Sequence, residues 1–171
     1  MTQTPRLRQI LQWRLTVVAG ICAGAVFLLV NILYLTLGAH LGAWVVLRYM
    51  ASIVLGNKVL PPPAGFDARI VLVGLLVNFA LAIFYALILA IIIHRWGLLV
   101  GIIGGGLFGA ALYLINLYTF TLLYSWFFAL NSVPFLISHV LFGAVAGGVY
   151  ELLDDVETPR VSQTITGGTR P

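Results

Sequence analysis

Four stretches of this chain, roughly 15–37, 69–93, 97–123 and 131–153, each run for more than 20 residues with almost no charge. A helix needs about 20 apolar residues to cross a bilayer, so each stretch is long enough to span. In hydrocarbon every backbone N–H and C=O must be bonded inside the chain, and a helix does this segment by segment. Only 8% of residues are charged and 61% are hydrophobic. A soluble domain carries about 25% charged residues, which excludes that class. The reading is an all-α integral membrane protein of four transmembrane helices plus one interfacial amphipathic helix.

The charges gather at the edges: before Leu15, between Arg48 and Arg69, at Arg95, and after Tyr150. The net charge of +4 therefore reports helix ends and gives no reason to expect a nucleic-acid partner. Residues 1–14 form a cytoplasmic segment with a cap at Thr4–Pro5, three arginines and Trp13. Residues 15–153 form the membrane domain, with the interfacial helix and Pro-rich loop at 38–68. Residues 154–171 are polar and small and read as a disordered cytoplasmic tail. The first span is too long for a signal-peptide core and reads as an uncleaved anchor. Cys22, the one cysteine, has no partner for a disulfide and reads as a packing residue.

In the loop after the first span, His40, Trp44, Arg48 and Ser52 recur every four residues, a narrow polar stripe on a short apolar helix. Such a helix can lie in the interface. The competing reading, a fifth span, would put Arg48 near mid-membrane at about 2.5–3.5 kcal/mol. With the N-terminus inside, Arg6, Arg8, Arg14, Arg95, Arg160 and Arg170 fall on the cytoplasmic side, against Arg48, Lys58 and Arg69 outside. The excess favours both termini in the cytoplasm of a bacterial inner membrane.

The third span opens "GIIGGGLFGAALYLIN". Gly104, Gly106 and Gly109 fit a dinucleotide fingerprint in spacing alone. No strand precedes them, and the next acidic residue, Glu151, lies too far on, so no nucleotide is expected. Gly101, Gly105 and Gly109 instead line one helix face, as do Gly20 with Gly24 and Gly143 with Gly147. Lipid supplies no hydrophobic drive between helices, and close backbone approach through small residues replaces it. The contact can lie within the bundle or face a partner.

Each span also carries one strongly polar side chain: Asn31, Asn78, Asn116 and His139. By the helical rise all four fall roughly 9–14 Å from the outer helix ends. Two readings stand. The layer is interhelical glue at about 0.6 kcal/mol per pair, or it is a polar pocket for a proton, a quinone head group or a small solute. "AGAVFLLVN" and "FGAALYLIN" can be laid over each other, which hints at two helical hairpins in tandem.

Other chemistry finds no support. Haem b between helices needs a second ligand level with His139; His40 and His94 lie elsewhere, and His94 reads as interfacial. No four ligands converge for zinc. Glu151, Asp154, Asp155 and Glu157 read as a solvated helix end. No nucleophile–base pair is visible, so neither an enzyme nor a cofactor is expected. Tyr113, Tyr118, Tyr124, Trp126, Phe127 and Phe128 read as an aromatic belt at the headgroups.

From "LPPPAGFDARIVLVGLLVNFALAIFYALILA" through "GGGLFGAALYLIN" to "SHVLFGAVAGGVYELL", about Leu60 to Leu153, the chain resembles a family of small, uncharacterised four-span bacterial inner-membrane proteins, some automatically labelled transporter-like. The resemblance implies the four-span architecture and no mechanism. The functional expectation is a small accessory or structural subunit packing against a larger membrane complex. The alternative is a small homo-oligomeric transporter or channel using the polar layer. The expected partners are the lipid bilayer and either that complex or a second copy.

Overall fold

A computed structural model describes residues 12–63, 65–94 and 97–157. Helix α1 (Trp13–Leu33) continues as a π-helical turn, Tyr34–Gly38. The short α2 (Val45–Leu55) follows, then α3 (Ala68–Ile93). Helix α4 (Leu98–Ile115) runs into a second π-helical turn, Asn116–Phe120, and a single turn, α5 (Thr121–Leu123). A 3-10 segment, Ser125–Leu130, leads into α6 (Val133–Glu157). Among the described residues, four segments are long and apolar enough to cross a membrane: Trp13–Gly38, Ala68–Ile93, Leu98–Leu123 and Val133–Asp155. The protein is a multi-pass, all-α membrane protein, and its spans start and stop within about two residues of the sequence reading.

Local chemistry sets the boundaries. The Asp67 carboxylate accepts from the Ile70 N–H at 3.0 Å and caps α3. Gly56 ends α2 with a φ of 80°, and Gly97 precedes α4 with a φ of 95°, conformations that favour glycine. One boundary is corrected here. Helix α6 continues through 154–157, so the tail does not begin at 154. Those residues extend the helix past its apolar stretch, with Asp154 buried. The Thr4–Pro5 cap, the remaining tail, and Arg6, Arg8, Arg95, Arg160 and Arg170 lie outside the described residues.

Helix α2 has 11 residues, roughly 16 Å at the helical rise. That is about half the hydrocarbon thickness, so it does not span. The second half of its polar stripe is turned inward, while His40 and Trp44 stay exposed. Ser52 is fully buried and Arg48 nearly so, while His40 precedes the helix with a φ of 56°. The reason is local pairing. Arg48 donates to Val59 O at 2.9 Å and to Gly65 O at 2.8 Å, tying the Pro-rich loop to α2. Ser52 accepts from the Trp126 indole at 2.9 Å.

Helix α4 lies along α6, α6 along α1, α1 along α3, and α3 along α2. Glycines set the closest approaches. A methyl group on Gly105 would strike the Gly143 carbonyl, and one on Gly143 would strike that of Gly105. Gly109 stands against the His139 carbonyl, and Gly147 against that of Gly101. Gly20 rests on the Ile83 backbone and Gly24 on Ala82 and Asn78. All seven glycines singled out in the sequence thus face another helix of this chain. An eighth, Gly74, was missed: it lets α3 approach the Leu47 carbonyl of α2. Its signal was a ladder in which alanine replaces glycine, with Gly74, Asn78, Ala82, Ala86 and Ala90 four apart and buried.

The tandem pattern reappears in the contacts. Laying Gly24 on Gly109 and Asn78 on His139 puts Gly20 on Gly105 and Ile83 on Ala144, and each of these pairs is in contact. The symmetry then breaks. Helices α1 and α6 lie close along their length, while their counterparts, α4 and α3, touch only sparingly despite a short connecting turn.

Candidate functional site

The parting of α3 from α4 leaves a cavity of about 90 Å³. A single water needs roughly 10–15 Å³ on that measure, so the space admits several waters or a small organic group. Asn78 of α3, Asn116 after α4, and His139 of α6 all line it. Three members of the predicted polar layer therefore meet in one space. The fourth, Asn31, does not. It is fully buried in α1, where its amide donates back to Phe27 O at 2.8 Å, and its Oδ1 has no hydrogen-bond partner. Depth and face were readable from residue counts, since Gly24 and Phe27 on the same side of α1 do line the cavity, but the folding of the Asn31 amide back onto its own helix was not.

His139 is held in a defined state by its neighbours. Its Nδ1 lies 2.8 Å from Phe135 O, which can only accept, so Nδ1 carries the hydrogen. Nε2 then presents a lone pair, and Asn116 Nδ2 faces it at 3.4 Å. That is long for a good hydrogen bond, whose range is about 2.7–3.2 Å. Asn78 donates to Gly24 O at 3.3 Å, joining α3 to α1 at the level where Gly24 opens the contact.

The walls are aromatic. Phe27 and Phe135 stand edge-on to the His139 ring with centroids 5.0 Å away, and Tyr113 does so at 5.5 Å. Tyr113 is not part of a headgroup belt, as its sequence position had suggested. It is buried, and its hydroxyl donates to Asn131 Oδ1 at 2.8 Å, closing α4 onto the start of α6. Trp126 is likewise turned inward to Ser52. The widened turn at Asn116–Phe120 keeps Asn116, Leu117 and Phe120 on the cavity, and π-helical turns often occur at functional sites. Among the described residues that line it, none is Asp, Glu, Lys or Arg.

The opposite end of the bundle is also buried, against expectation. Glu151 is fully buried and its Oε2 accepts from the Gly97 N–H at 2.7 Å, capping α4 across helices. The neighbouring Tyr150 hydroxyl lies 2.7 Å from His94 Nδ1. Glu151 had been assigned to a solvated helix end and His94 to an interface. Both instead join α6 to the adjacent ends of α3 and α4. Among the described residues no three His, Cys, Asp or Glu side chains could hold a metal.

Against protein-family models, curated proteins and solved structures, the chain gives no match.

Proposed function

We propose that this is a small protein of the bacterial inner membrane, with both termini in the cytoplasm, that holds a small and mostly apolar molecule between its helices as a binding or carrier protein. One observation carries the reading. Polar side chains from three different helices converge on an aromatic cavity where α3 and α4 touch only sparingly. Pockets of this kind, apolar with a few convergent polar groups, are where small molecules bind. The arginine asymmetry supports the orientation. No catalytic role is assigned to any residue.

The accessory-subunit expectation rested on small-residue faces and on the lack of a catalytic set or soluble domain. The glycine faces of α1, α4 and α6 pack against other helices of this chain, so they give no separate reason to expect a partner. The homo-oligomeric alternative keeps the polar site, and the site is built within one chain.

The test is to release the protein from its own membranes in polymer-bounded lipid discs and identify small molecules by mass spectrometry. A Leu117→Trp variant fills the cavity rim without entering a glycine contact. A molecule retained by the wild type and lost from Leu117→Trp supports the reading. The same set of molecules on both proteins contradicts it.

A further inference from the structure

We infer that the ligand is an uncharged amphiphile whose head is a hydroxyl-bearing ring, a phenol or quinol, with an apolar tail leaving between α3 and α4. The inference deepens the reading of the cavity as a binding site and rests on it.

Charge narrows the class first. Among the described residues no ionised side chain lines the cavity. A charged head would be buried without a counter-ion, which is strongly unfavourable in a membrane interior. Polarity narrows it next. With the Nδ1 hydrogen committed to Phe135 O, His139 can only accept at Nε2, and its one partner there is 3.4 Å away. A ligand hydroxyl can donate to that lone pair. A bare carbonyl cannot. The Asn116 amide is then free to donate to the same ligand oxygen, so one hydroxyl uses both groups. Shape favours a ring, because Phe27, Phe135 and Tyr113 surround the imidazole edge-on, the arrangement that aromatic groups prefer. The route follows from the broken symmetry. The deep wall is buried, whereas Leu81, Tyr85, Leu117 and Phe120 on the α3 and α4 sides are only partly so. That rim is mostly apolar and lies on two of the membrane-spanning segments.

The experiment uses the full chain in lipid nanodiscs, titrated calorimetrically against empty discs. The probes are a short-tailed benzoquinol held reduced, its quinone, its dimethyl ether, and a tail-matched alkylbenzene. The expected result is one quinol bound per chain, with the quinone and the ether at least tenfold weaker. His139→Phe should erase the preference, and His139→Gln, whose amide oxygen still accepts, should restore part of it. The ligand series needs no variant to fold. An ether that binds as tightly as the quinol overturns the hydroxyl inference and leaves the cavity a binding site. Binding of the alkylbenzene alone does the same. Failure of all four probes overturns both readings.

Discussion

Gly105 and Gly106 are neighbours in sequence and receive the same methyl group in an alanine substitution, yet the structure predicts opposite outcomes. On Gly105 the methyl carbon strikes the Gly143 carbonyl, 2.8 Å from its carbon and 3.4 Å from Ala144 Cα. Carbon atoms pack at about 3.5–4.0 Å, so α4 and α6 would have to part by roughly 1 Å. The obstacle is backbone and cannot rotate aside. Overpacking of this sort costs about 1–3 kcal/mol, and rigid backbone on both sides argues for the upper part of that range. On Gly106 the nearest atoms are Val140 Cγ1 at 3.7 Å and Ala144 Cβ at 3.9 Å, ordinary contact. There alanine relieves the helix penalty of glycine, up to about 1 kcal/mol. Gly105→Ala should therefore be less stable than Gly106→Ala by about 2 kcal/mol or more. Reversible unfolding in mixed detergent–SDS micelles, followed by circular dichroism, reads the difference directly. Equal stability, or a reversed order, would refute glycine-mediated contact between α4 and α6.

Three further outcomes follow from the same geometry. A methyl group on Gly74 meets the Leu47 carbonyl, so Gly74→Ala should loosen α2 from α3 at a cost of about 1–3 kcal/mol, read as faster hydrogen exchange confined to residues 45–55. Arg48→Met keeps the apolar stem but removes the charged hydrogen bonds to the Val59 and Gly65 carbonyls, about 1.5–3 kcal/mol, and should speed proteolysis in the loop after α2 while the spans hold. Glu151→Gln retains an oxygen for the Gly97 N–H and should be mild, whereas Glu151→Leu should cost about 1–3 kcal/mol in the same unfolding assay.

Much of this architecture was legible because the bilayer imposes a length on every span. The four spans and the short helix needed only a count of apolar residues and the position of three prolines. The small-residue faces were legible too, since a four-residue spacing marks one side of a helix. Which faces meet was not legible. Gly105 and Gly143 oppose each other because of the α4–α6 crossing, a property of two helices at once. The α3 face escaped notice because alanines fill the places that glycines hold elsewhere. The polar layer was visible as a matter of depth, and Asn78, Asn116 and His139 do meet. Asn31 shows the limit, since it shares a side of α1 with Gly24 and Phe27, yet its amide folds back onto Phe27 O and it is not among the lining residues. Glu151 and Tyr113 were misjudged for a related reason. Position near a helix end suggested water or headgroups, and only the neighbouring helices show that both side chains are enclosed.

The central claim is that the seam between α3 and α4 stands open as a site whose polar end is His139. An experimental structure in lipid nanodiscs, with an antibody fragment to add mass, tests it most directly. The account predicts non-protein density in the cavity, with an atom within hydrogen-bond reach of His139 Nε2. It would be contradicted by α3 packed against α4 along the seam, with Nε2 drawn to a protein donor at an ordinary hydrogen-bond distance.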